Sequence, residues 1–129
     1  MSRKSKILFR NRNQTDWWIY CEVEQWVSKQ QKKLLPTSRC LVWENFRLLR
    51  AKNREEALKK AIKFSRVGNP SKTKDGEWRF AGISMLSPVY DEIEDGSEIL
   101  WTDRGIMSVK QIRKLVKSKQ QLPVFDDKP

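Results

Sequence analysis

The stretch KNREEALKKAIKFSRVGNP, residues 52–70, sets the fold class, because it carries its own helix start and stop signals inside a chain that otherwise alternates. Asn53 stands where a side chain can cap the first turn, and Glu56, three residues on, is placed to complete a capping box. Ala57, Leu58, Ala61, Ile62 and Ser65 then recur at helical spacing, and Gly68 with Pro70 stops the run. The pattern predicts a helix over residues 54–67. Its apolar stripe is narrow, which is the mark of a helix laid on a sheet.

Working outward, the flanks read as that sheet. WWIYCEVEQWV, residues 17–27, alternates, with Trp17, Ile19, Cys21, Val23 and Val27 on the side expected to face the core. SKQQKKLLPTS is the polar connection of a long hairpin, and RCLVWENFRLLRA, residues 39–51, is its second strand. Two inward sets fit that strand: Cys40, Val42, Phe46 and Leu48, or Leu41, Trp43 and Leu49. Beyond the helix, Asp75-Gly76 favours a tight turn, and residues 78–86 predict a third strand in which Gly82 leaves room for a bulge or a close helix approach. Pro88 ends it, Asp95-Gly96 turns the chain again, and residues 98–102 predict a short last strand. The expectation is an α+β fold: a four-stranded antiparallel sheet in β-β-α-β-β order against one helix, with a C-terminal amphipathic helix packed nearby.

Composition excludes more than it identifies. The 129 residues contain no His and two Cys, so zinc sites and Ser/His or Cys/His catalytic arrangements are not available from this chain. Cys21 and Cys40 are expected as buried free thiols. Six Trp and five Phe concentrate apolar area in few side chains, enough for one core. The apolar run Ile7–Phe9 is too short for a signal peptide or a membrane span, which points to a cytoplasmic protein without membrane contact.

The net charge of +11 is uneven: residues 1–13 contribute +5, residues 14–102 only +2, and residues 103–129 the remaining +4. Three parts follow: a basic N-terminal tail (1–13), an α+β core (14–102) and a basic C-terminal helix and tail (103–129). In SVKQIRKLVKSKQQLP, Val109, Ile112 and Val116 share one helical face, and Lys110, Arg113, Lys114 and Lys117 the other. Four cations on one face can meet phosphates, an anionic membrane or an acidic protein groove. The plain alternative is a solvated surface helix, as it is for Arg3, Lys4, Lys6, Arg10 and Arg12 in the leader.

Candidate chemistry is thin elsewhere. Asp91, Glu92, Glu94, Asp95 and Glu98 could gather a divalent cation, but Asp-Gly and Glu-Asp-Gly are turn compositions, and a solvated turn is expected. Ser71 and Lys74 match a Ser-x-x-Lys nucleophile pattern without any of its companions. There is no glycine-rich phosphate loop and no Asp with Glu-x-Lys of a metal-dependent nuclease. No enzyme, cofactor or metal is expected. Of the tryptophans, Trp17, Trp78 and Trp101 are expected inside, while Trp18 and Trp26 are left open; an exposed Trp beside Arg suits a protein hot spot or a base-stacking platform.

The succession WWIYCEVE, RAKNREEALKKA, GEWRFAGISMLSPV and EDGSEILW resembles the DUF4288 family over about residues 17–102, with both basic ends as additions. The resemblance implies a compact α+β domain, and it brings no catalytic or binding residue with it. By analogy of size and style alone, such small domains include immunity proteins against toxins. The function expected is a non-catalytic binding module that occludes an acidic protein partner, an immunity-type inhibitor being one form. Arg79, Lys110, Arg113, Lys114 and Lys117 are the contact residues, with Arg3, Lys4, Lys6, Trp18 and Trp26 secondary. The alternative is a nucleic-acid-binding protein using the C-terminal helix and the N-terminal arm.

Overall fold

Asn53 caps its helix as expected: its side chain accepts the Glu56 amide at 2.8 Å, and the helix runs Arg54–Arg66. Glu56 does not return the bond to Asn53, so the cap is single-sided. Gly68, at φ 71°, follows the last turn in the left-handed conformation that glycine adopts without strain. Around this helix the computed structural model describes residues 7–31 and 33–129.

The elements are β1 (Trp17–Ser28), β2 (Val42–Arg50), α1 (Arg54–Arg66), β3 (Ser71–Lys72), β4 (Gly76–Pro88) and α2 (Val109–Leu115). The four strands form one antiparallel sheet in the order β2-β1-β4-β3, so the fold is α+β. The fourth strand is not the expected one. Residues 98–102 form no strand; instead two residues ahead of β4 pair with its start, Ser71 with Trp78 and Lys72 with Glu77. The loop before residue 98 is held by its own side chains: Asp91 accepts the Glu98 amide at 3.1 Å, and Ser97 accepts the Glu94 amide at 2.8 Å. Side chains that take up backbone donors locally compete with a sheet ladder.

Residues paired across neighbouring strands share a face, which fixes what α1 covers. Trp18 pairs with Leu49 and Pro88, and Tyr20 with Arg47 and Leu86. Trp18, Tyr20 and Leu49 join Ala51 and the helix residues Ala57 and Ala61 in the core. The helix therefore covers the even-numbered face of β1, opposite to the face expected from alternation. Ile19, Cys21 and Val27, on the other face, are buried as well, flanked by β2 and β4 on either side. On β2 the set containing Trp43 and Leu49 is the one turned to the helix, leaving Val42, Phe46 and Leu48 exposed on the far side.

Two extra residues interrupt β4 against β1. The register slips between Cys21 and Glu22 and again between Val23 and Glu24, which leaves Ser84 and Ala81 without partners. The helix face of β4 thus reads Trp78, Phe80, Ile83, Leu86 and Pro88, a spacing that no strict alternation produces. Gly82 lies between the two bulges and nothing approaches its α-carbon face, so the close helix approach does not occur. The close approach belongs to Gly76, where an added Cβ would stand 2.9 Å from the Ser28 Cα.

Residues 7–13 lie against the sheet end: Phe9 stacks on Tyr90 with ring centres 6.0 Å apart, and Tyr90 donates its hydroxyl to the Arg10 carbonyl. Cys21 and Cys40 are both free; Cys21 is buried and Cys40 only half so. Among the described residues no helix is long and apolar enough to cross a membrane.

Candidate functional site

Two regions carry chemistry. The first arises where α1 runs off the sheet. Ala57 and Ala61 let the helix sit close, and Ser65 continues that stripe one turn later, while Phe64 flanks it. Beneath this last turn the sheet presents polar residues in place of aliphatic ones: Glu22 pairs with Asn45 and Ile83, and Glu24 with Trp43 and Phe80. The result is a cleft of about 480 Å³ with Glu22, Glu24, Asn45 and Trp43 on the sheet side and Phe64 and Ser65 on the helix side. Asn69, whose side chain accepts the Phe80 amide at 2.8 Å, closes its end after α1.

The electrostatics of the cleft are unusual for a basic protein. Glu22 has 1% of its side chain exposed, and its Oε1 lies 2.6 Å from the Arg47 Nε, an ion pair whose other member is 53% exposed. Among the described residues that Oε1 nevertheless lacks an aligned hydrogen bond, and the buried hydroxyls of Tyr20 and Ser65 stand near each other without a well-formed one. Glu24 accepts the Asn45 amide at 3.1 Å. Two carboxylates facing one guanidinium leave the cleft net negative. Burial pushes the Tyr20 hydroxyl above its ordinary value of 10.0; the Arg47 charge pulls the other way, Glu22 adds to the rise and Ser65 opposes it. The aromatic wall is continuous, with Trp43 and Trp78 at 4.6 Å between ring centres and Trp26 and Trp78 at 5.4 Å.

The second region is the C-terminal segment. Ser108 and Gln111 form a complete capping box at the start of α2, which explains why a helix of seven residues begins there. Lys110, Arg113, Lys114 and Lys117 are exposed, and among the described residues none of them has an acidic partner within ion-pair distance. The helix was expected to pack near the sheet. It buries no residue and contacts no other element among those described.

The expected contact residues do not converge. Arg79 sits on β4 with its Nε 3.5 Å from Glu77, apart from α2. Trp18 is a core residue, 3% exposed, with its indole nitrogen donating to the Ala51 carbonyl at 3.0 Å, so it offers no surface to a partner. Trp26 is half-buried against Trp78. Arg3, Lys4 and Lys6 lie outside the described residues. Trp101, expected inside, is 43% exposed; Trp17 is half-buried beneath the Arg50 guanidinium, and Trp78 is half-buried. The acidic residues 91–98 form an exposed turn, and among the described residues no cluster of three His, Cys, Asp or Glu is placed to hold a metal.

The cleft escaped sequence reasoning, although one signal was present. Glu22 and Glu24 interrupt an aromatic strand on the same side as Trp18, Tyr20 and Trp26, and a carboxylate on the core-facing side of a central strand needs a partner. No curated protein and no solved structure matches the chain. The family model for the domain of unknown function DUF4288 does match, over residues 17–101, the span that holds the whole sheet, α1 and the cleft but not α2. On that match the chain belongs to the DUF4288 family.

Proposed function

We propose that the protein is a non-catalytic binding module that docks α2 in an acidic groove of a protein partner and occludes that partner's working surface with its core domain. The observation that carries this reading is the state of α2. Val109, Ile112, Leu115 and Val116 are 64%, 47%, 44% and 71% exposed, next to four exposed cations. A short helix with Val109, Ile112 and Leu115 on one side and Lys110, Arg113 and Lys114 on the other, followed by Val116 and Lys117 in the exit segment and with no packing partner among the described residues, has the form of an element that lies in a groove. The cations supply steering and register, and the apolar side supplies burial. A phosphate backbone would use the cations but offer nothing to Ile112 and Val116, so the apolar residues favour a protein over a nucleic acid. An inhibitor that holds a toxin inactive by steric blocking is the immunity-type instance of the same mechanism.

Two variants test this, one replacing Lys110, Arg113, Lys114 and Lys117 by Gln, the other carrying Ile112→Ser and Val116→Ser. The expected result is an acidic protein held in fixed stoichiometry by the unmodified chain, with affinity reduced roughly tenfold or more in both variants. Undiminished affinity in the Ser variant, together with saturable retention of mixed DNA and RNA at moderate salt, would overturn the protein reading in favour of nucleic acid.

A further inference from the structure

The cleft under the last turn of α1 has an aromatic and acidic lining that the α2 reading leaves unused. Three features define what fits it. The first is charge: Glu22 and Glu24 face a single guanidinium, Arg47, so an anion is repelled and one further positive charge is matched. The second is unmet hydrogen bonding. Glu22 Oε1 and Ser65 Oγ are buried without aligned partners, and both residues belong to the cleft wall. Glu22 Oε1 meets Arg47 only as an ion pair out of hydrogen-bond alignment, and Ser65 Oγ has beside it the Tyr20 hydroxyl without a well-formed bond; a buried acceptor that lacks an aligned donor is costly, and a donor-rich ligand reduces that cost. The third is the π surface: Trp43 and Trp78 on the sheet side and Phe64 on the helix side line the cleft, and Phe64 already has the Lys60 ammonium 5.9 Å from its ring centre.

A compact ammonium ion would satisfy the charge but is strongly hydrated and lacks a flat face. A quaternary ammonium would suit the rings but has no donor for Glu22 or Ser65. A guanidinium is flat, stacks on aromatic faces and presents five donors, so it answers all three features at once. Arg47 already shows that the floor accepts such a group, and about 480 Å³ is room for a ligand well beyond the guanidinium itself. We propose that this cleft is a binding site for a guanidinium-bearing ligand, held between Trp43 and Phe64 with its donors on Glu22, Glu24 and Ser65. The site lies within the family-matched span and is separate from α2, so it stands or falls independently of the docking reading.

The test uses the full chain and three probes: capped arginine amide, agmatine, and capped citrulline amide, which keeps the shape of arginine without its charge. Calorimetric titration and tryptophan fluorescence are expected to show saturable binding of the two guanidinium probes and at least tenfold weaker binding of the citrulline probe. Tighter binding of capped arginine than of agmatine identifies a protein side chain as the ligand's source; equal or tighter agmatine binding identifies a free small molecule. Glu24→Gln, at a half-buried position, is expected to weaken the guanidinium probes by about tenfold without moving the melting temperature. Trp43→Leu, at an exposed edge position, is expected to remove most of the fluorescence change. Equal affinity for the arginine and citrulline probes, an absence of saturation, or an unchanged affinity in Glu24→Gln would overturn the proposal, whereas the α2 Gln variant is expected to bind all three probes as the unmodified chain does.

Discussion

Tyr20 has no exposed surface, and its hydroxyl, inside the core face of the sheet, stands near the Ser65 hydroxyl without a well-formed hydrogen bond. A buried hydroxyl left in this state costs free energy that the ring's burial must offset. Replacing Tyr20 by Phe keeps the ring and removes the unsatisfied atom, so Tyr20→Phe is expected to leave stability within about 1 kcal/mol or to raise it. Chemical denaturation near neutral pH reads this directly, and a loss above about 2 kcal/mol would show that the hydroxyl has a partner after all. The same residue sets an alkaline dependence. Burial raises the folded-state value above 10.0, so the folded chain holds the phenolic proton more tightly than the unfolded chain does. The contribution is fully present below 10.0 and is lost as pH climbs through the raised value, because the unfolded chain ionises first. Tyr20→Phe is expected to flatten that alkaline slope.

At the scale of elements, α1 was the most legible part of the sequence, because its signals are local. Asn53, the stripe through Ala57, Ala61 and Ser65, and Gly68 act within a few residues of one another and give the bounds to within one residue. Asn53→Ala is therefore expected to cost about 1 kcal/mol, read as a lowered denaturation midpoint with an unchanged slope. Three of the four strands and their antiparallel direction were legible, and the aromatic β1 in its position. Their faces were not, since β1 has buried residues on both sides and the bulges at Ala81 and Ser84 shift the parity of β4 twice. Residues 98–102 have the composition of a strand, but Asp91 and Ser97 hold the preceding loop, and β3 takes the edge of β4 with only two residues. The cleft was hidden for the same reason as the faces. Glu22, Asn45 and Ser65 come from three elements, and only the register that places Asn45 opposite Glu22 under α1 makes them neighbours.

For the molecule as a whole, the charge and the core occupy different parts of the chain. Residues 14–102 carry +2 of the net +11, and the sheet with α1 lies entirely within them. In residues 103–129 every side chain except Met107 is exposed, so this segment adds almost no apolar burial to the fold. Removal of residues 106–129 is thus expected to leave the melting temperature within about 2 °C of the full chain; a fall beyond about 5 °C, on the order of 1 kcal/mol at this size, would mean that the segment packs on the core. The same shortened chain separates the two binding regions. It should lose the acidic partner, because α2 with its three cations and Lys117 just beyond it are gone, and retain the arginine probe, because Glu22, Glu24, Trp43 and Phe64 all remain. Loss of both activities with an unchanged melting temperature would tie the cleft to the C-terminal segment and contradict the separation of a family core from a docking extension.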